Sequence, residues 1–247
     1  LNGEKSFTWP YVYSQFVIDL PSYVKEGENT IWVKNTYELP NSRWYPGSGI
    51  YRNVWLVRRP AVHFTTDGGY LSAKKEGDAF ILHADYEIQN DTDSACEVTL
   101  CHTVLAPDGK VAGTSKETLT IPCGLTVNKQ TMTFEAPLLW DIESPNLYTV
   151  HSEIIKDETA IDSSDERFGF RTIAFDPDKG FFLNGRNVKI NGSCEHHTLG
   201  ALSAAINREA VRRQLTIMQK MGVNAIRSAH NMPAPELMEL CLSLIHI

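Results

Sequence analysis

Two short clusters in this chain combine residue types able to do chemistry. Glu195, His196 and His197 form one, and Arg227, His230 and Asn231 form the other. A neutral imidazole both donates and accepts, so it suits hydroxyl recognition or metal ligation. A guanidinium offers a planar fork that orients a carboxylate and keeps it ionised. Arg43, Trp44 and Tyr45 make a third group, just before the turn signal Pro46-Gly47. Aromatic faces stack on the C–H-rich faces of sugars while arginine donates to their hydroxyls. The same aromatics fit an interface plug equally well, since large rings are usually buried.

The first two clusters need elements to hold them. Asn187 to Ser193 alternates Val188 and Ile190 with polar residues and reads as a strand, with Glu195, His196 and His197 after it. Asn207 is placed as a helix N-cap, with Glu209 in the first turn where acid suits the helix dipole. Val211, Leu215 and Met218 repeat at helical spacing, and Gly222 stands where the helix should end. Val223 to Ile226 reads as a second strand, followed by Arg227 and His230. Strand, helix, strand is a parallel unit. Both clusters then leave C-terminal strand ends, the active-site face of a (β/α)₈ barrel. A doubly wound sheet fits the same pattern, although no GxGxxG precedes the helix and a dinucleotide site is disfavoured.

The whole chain has 247 residues, 42% of them hydrophobic, and a net charge of −7 without a basic run. That suggests about two domains, with room for part of a third. It also argues against nucleic acid or an anionic membrane surface as partner. No apolar run is long enough to span a bilayer. The opening LNGEKSFTWP reads neither as a signal peptide nor as a Met start, and strands before it are expected. Localisation stays open between cytoplasm, periplasm and exterior. Five cysteines, odd in number and unevenly spaced, give neither a disulfide framework nor a CxxC pair, and those of the middle region are expected as small core residues. Leu1 to Arg59 alternates like an antiparallel sandwich. Pro60 to Thr172 carries about seven short strands between turn formers, as in an immunoglobulin-like sandwich. Asn184-Gly185 marks a hairpin.

Four stretches carry a family resemblance in the right order. SRWYPGSGIYRNVWLV resembles the segment closing the sugar-binding domain of glycoside hydrolase family 2, the family of β-galactosidases, β-mannosidases and β-glucuronidases. FGFRTI, FFLNGRNVKINGSCEHHTLGAL and MGVNAIRSAHNMPAPELMELC resemble the start of its catalytic barrel. The resemblance implies a multidomain, mainly β chain: the end of a jelly-roll sugar-binding sandwich over 1–59, a complete immunoglobulin-like sandwich over 60–172, and the first βα units of a TIM barrel over 173–247. It implies a retaining exo-β-glycosidase, β-galactosidase above all, acting on a carbohydrate such as a β-galactoside. Arg227 would support the nucleophile; His197 and His230, then His196 and Asn231, would contact the sugar; Arg43 and Trp44 would reach in from the first domain. Such enzymes need two carboxylates about 5–5.5 Å apart. The family acid/base lies in an Asn-Glu dipeptide, and this chain contains none. No catalytic residue is therefore expected within it, and the chain is expected to be an inactive internal fragment. Thr198 and Met232 depart from the commonest family residues, and Leu242 to Ile247, LSLIHI, departs further and is expected to be a non-native tail resembling a translated transposon end. No cofactor is required, although a divalent or monovalent cation occurs in the family, and a homo-oligomer is left open. Two other classes stand beside this one: a non-catalytic carbohydrate-binding β-sandwich protein, and a metal-dependent barrel hydrolase using His196, His197 and His230. Adjacent histidines on a strand point to opposite faces, which counts against the second.

Overall fold

The computed structural model describes residues 1–11, 13–38, 49–196 and 198–244. Strict alternation of apolar and polar residues builds its largest unit. In β2 (Ala79–Asn90) Phe80, Leu82, Ala84, Tyr86 and Ile88 point inward and are buried. β1 (Val62–Glu76) and β5 (Gly124–Glu135) flank β2 in an antiparallel sheet. Facing it lies a four-stranded sheet of order β4-β3-β8-β9: β4 (Val111–Ile121), β3 (Cys96–Leu105), β8 (Tyr148–Lys156) and β9 (Thr159–Phe168). Val98, Leu100, Val104, Val150 and Ile154 close the core from that side. This three-plus-four arrangement is the expected immunoglobulin-like sandwich.

The core is not wholly apolar. His102 and Ser152 occupy inward positions of β3 and β8, are fully buried, and meet at 2.7 Å through Nδ1 and Oγ. The imidazole stacks on Tyr86 at 4.8 Å, and the Tyr86 hydroxyl donates to Glu166 at 2.6 Å. Nε2 of His102 is buried without a hydrogen-bond partner. Burial lowers its pKa from 6.5 to about 4, against a weaker upward pull from Glu117.

Past the sandwich, β6 (Trp140–Asp141) and β7 (Ser144–Pro145) form a small antiparallel pair. β10 (Ile173–Asp176), β11 (Gly180–Leu183) and β12 (Arg186–Asn187) form a second sheet. Asn184 and Gly185 join β11 to β12 with φ of 52° and 77°, the positive values a tight hairpin demands. Trp140 is fully buried among Phe181, Leu183 and Val188.

β13 (Gly192–Glu195) and β14 (Ala225–Ser228) pair in parallel, joined by α1 (Arg208–Lys220). The Asn207 side chain caps α1 by accepting from the Ala210 N–H at 2.9 Å. Gly222, with φ of 86°, follows the helix as C′. Val211 and Leu215 pack against Leu240 of α2 (Pro235–Leu244). Both strands start later than the alternation suggests. Val188 is diverted into the Trp140 cluster, and the ladder begins only where β13 and β14 face each other, so Arg227 lies within its strand rather than after it.

Two expectations need correcting. No strand forms among the described residues of 1–59, and Trp32, Trp55 and Leu56 are among their exposed side chains. A strand exists only through its ladder, and no partner sheet covers this alternation among the described residues. The cysteines are core only in part: Cys96 is half-buried and packs against the core, Cys101 is half-buried, and Cys123 is exposed.

The buried histidine makes stability depend on pH. Its folded pKa of about 4 lies below its ordinary 6.5, so the unfolded chain takes the proton first. Stability from neutral His102 is complete above pH 6.5 and falls as pH drops towards 4, by roughly 3 kcal/mol. Denaturant midpoints at pH 7.5 and 4.5 check this against His102→Phe, which keeps the ring stack but cannot titrate. The variant should lose less stability between the two pH values than the wild type; equal losses would contradict the assignment.

Candidate functional site

The parallel register sets the geometry. Gly192, Ser193, Cys194 and Glu195 stand opposite Ala225, Ile226, Arg227 and Ser228. Alternation buries Ala225 and exposes Arg227. Cys194 and Arg227 therefore sit side by side, and Nη1 of Arg227 donates to the Cys194 sulfur at 3.4 Å. Nη2 lies 3.1 Å from Nδ1 of His230. A guanidinium cannot accept, so Nδ1 must be the lone-pair nitrogen, which leaves Nε2 carrying the proton. In that tautomer the Nε2–H of His230 can donate to a ligand oxygen. His196, at the end of β13, meets His230 edge to face at 5.8 Å between ring centroids. Asn231 accepts from the Tyr11 hydroxyl at 3.3 Å.

One carboxyl group lies beside these residues. Glu195 is half-buried and accepts from Nε2 of Gln214. Burial holds its pKa above the ordinary carboxyl value, and the Gln214 bond opposes that shift. Glu195, His196 and Gln214 line a cavity together with Tyr51 and Arg52 from the N-terminal segment. The neighbouring glutamates are engaged elsewhere. Glu209 pairs with Arg212 at 3.2 Å, Glu236 accepts from Asn53 at 2.7 Å, and Glu239 accepts from Arg208 at 2.6 Å. No two of them share a partner in a way that would set up an acid and a nucleophile. Among the described residues no three His, Cys, Asp or Glu side chains converge as a metal site.

Of the residues singled out by sequence, the structure brings together Arg227, His230, His196 and Asn231. Arg43, Trp44 and His197 lie outside the described residues. Cys194, Tyr11 and Arg52 were not singled out. Cys194 has a sequence signal only once the register is known, because nothing local pairs it with Arg227. Arg52 stands within GIYRN, inside a motif already noted, but its contacts are 39 and 180 residues away in the chain.

Comparison with known proteins fits this geometry. The sequence model of "Glycosyl hydrolases family 2" matches residues 70–171, and that of the "Glycosyl hydrolases family 2, TIM barrel domain" matches residues 177–244. A Bacteroides ovatus protein described as "Beta-galactosidase BoGH2A" is 39% identical over 245 residues, covering 98% of this chain and 29% of the relative. The structure of a glycosyl hydrolase family 2 member from Bacteroides cellulosilyticus superposes with a TM-score of 0.79 at 30% identity, covering 83% of this chain and 28% of that one. A Bacteroides uniformis beta-glucuronidase 2, solved covalently bound to cyclophellitol-6-carboxylate aziridine, superposes with a TM-score of 0.72 at 30% identity, covering 76% of this chain and 24% of that one. The chain spans less than a third of the length of the first curated relatives it matches.

Thiol chemistry checks the placement of Cys194. Burial raises the Cys241 thiol to about 11, whereas Cys123 and Cys194 are exposed. At pH 8 only about 0.1% of such a buried thiol is thiolate. Timed alkylation with iodoacetamide, read by peptide mass spectrometry, should label Cys123 and Cys194 well before Cys241. Equal rates at Cys194 and Cys241 would contradict the exposed β13 edge.

Proposed function

The chain belongs to the glycosyl hydrolases of family 2, and from that premise we propose that it is part of a retaining exo-β-glycosidase with β-galactosides as favoured substrates. The observation that carries the reading is Arg227, set at the C-terminal end of a parallel strand pair and touching both Cys194 and His230. In a retaining mechanism one carboxylate attacks the anomeric carbon while a second protonates the leaving oxygen. Arg227 is suited to orient the attacking carboxylate and keep it ionised, having more N–H groups than those two contacts use. His230, donating through Nε2, suits a sugar hydroxyl, with His196 and Asn231 beside it; His197 is proposed as a further sugar contact. Both catalytic glutamates belong to the parent outside residues 1–247, so this stretch alone hydrolyses nothing. The β-galactosidase name of the Bacteroides ovatus relative supports the glycone, and the covalent complex of the Bacteroides uniformis protein supports a nucleophilic mechanism.

The same reading assigns the remaining segments. Residues 1–59 are assigned to the C-terminal part of a jelly-roll sugar-binding domain, with Arg43 and Trp44 as proposed sugar contacts. Residues 60–172 are the spacer sandwich, and 173–247 begin the barrel.

The test is hydrolysis of a panel of nitrophenyl β-glycosides by the full-length parent, with the product anomer followed by NMR. β-Galactoside should be cleaved best, with retention; preference for β-glucuronide would move the glycone, and an inverted anomer would defeat the mechanism. Arg227→Ala should lower kcat roughly 10²–10³-fold, as for loss of one preorganised electrostatic donor. His230→Ala should act on kcat/KM, through contacts that tighten in the transition state.

A further inference from the structure

We infer that Arg52 is a positioning residue that holds the loop bearing His230 and Asn231, so that the N-terminal segment sets the geometry of the sugar site. The inference rests on the β-glycosidase reading. After β14 the chain leaves the sheet, and its backbone needs partners that no ladder supplies. Arg52 supplies one: its Nη2 donates to the Met232 carbonyl at 2.5 Å, two residues beyond His230 and one beyond Asn231. Its Nη1 donates to the Tyr13 carbonyl at 3.3 Å. The fork therefore ties two distant backbone segments together, with its carbon centre 5.0 Å from the Tyr51 ring centroid. Contacts on either side keep the same registration. Tyr11 donates to Asn231 at 3.3 Å, Ile206 N–H donates to the Tyr51 carbonyl at 3.3 Å, and Asn53 donates to Glu236 at 2.7 Å. Arg52 also walls the cavity that contains Glu195 and His196.

A charged fork holding two carbonyls is strong and directional, and lysine cannot reproduce it, because an ammonium lacks the planar two-armed geometry. If Arg52 only glued the segment down, its loss would reduce the folded fraction and leave each folded site as active as before. Acting through the loop, it instead misplaces His230, and displacement of a site group by about 1 Å costs up to about 10²-fold in rate.

The experiment is a double-mutant cycle in the full-length parent, with activity normalised to sites counted by burst titration. Arg52→Ala and Arg52→Lys should each lower kcat/KM about 10-fold or more per titrated site. Arg52→Lys serves as the second variant if Arg52→Ala folds poorly, and the Arg59→Ala control, which breaks only an ion pair to Asp162 of the sandwich, should keep its kcat/KM. In the His230→Ala background the Arg52 substitutions should cost less than about 3-fold, since residues acting through one another are not additive. Equal losses in both backgrounds, or unchanged kcat/KM per titrated site, would overturn the positioning role while leaving the enzyme reading intact. A folded wild-type parent that cleaves no β-glycoside would instead sink that reading, and this one with it.

Discussion

Burial of one indole ring fixes how the pieces of this chain meet. Trp140 leaves the sandwich and is fully enclosed by Phe181, Leu183 and Val188. Its Nε1 donates to the Leu242 carbonyl of α2 at 2.8 Å, and its own carbonyl accepts from Asn184 of the hairpin at 3.0 Å. The Arg171 guanidinium lies 4.8 Å over the ring. Gly169 lies against it so closely that a Cβ there would stand 2.5 Å from the Trp140 Cβ. A large apolar ring with one donor, satisfied at its edge, both buries area and specifies direction. Three elements far apart in sequence are thereby held around a single side chain.

The site geometry follows from that anchor. The hairpin of β11 and β12 is fixed on Trp140, so the chain reaches β13 from a set position. α2 touches both clusters: Leu242 packs on the Trp140 group, while Leu240 packs on Val211 and Leu215 of α1. Arg167 of β9 adds an ion pair with Glu239 of α2 at 3.6 Å, exposed and therefore weak. With α1 and α2 held, the β13–β14 register places Arg227 between Cys194 and His230. The middle sandwich, proposed above as a spacer, carries no proposed sugar contact, yet the adjoining Trp140 fixes the hairpin that leads to β13.

Much of this was legible in the sequence, for local reasons. The Asn207 cap, the α1 face, the Asn184-Gly185 hairpin and the alternating strands of the sandwich are each decided by residues a few positions apart. What was not legible depends on partners distant in the chain. β13 is GSCE, four residues with little strand preference, and only its pairing with β14 defines it. His102 and Ser152 fill inward positions that alternation alone would assign to apolar residues. Arg52 lies inside a recognised motif, but its role becomes visible only when Met232 and Tyr13 come together. The segment 1–59 differs from the sandwich in this respect. Its alternation is real in sequence, but no sheet forms among the described residues, since a strand pattern cannot supply its own partner.

The central proposal is that Arg227 serves a covalent nucleophile belonging to the parent enzyme. The most direct measurement is mass spectrometry of the full-length protein after incubation with an activated 2-deoxy-2-fluoro-β-galactoside, followed by peptide mapping. A retaining site built around Arg227 requires a mass increase of one fluoroglycosyl unit on a single glutamate outside residues 1–247, formed more slowly in Arg227→Ala. Continued hydrolysis of β-galactosides without any adduct, or an adduct on Glu195, Glu209, Glu236 or Glu239, would contradict it.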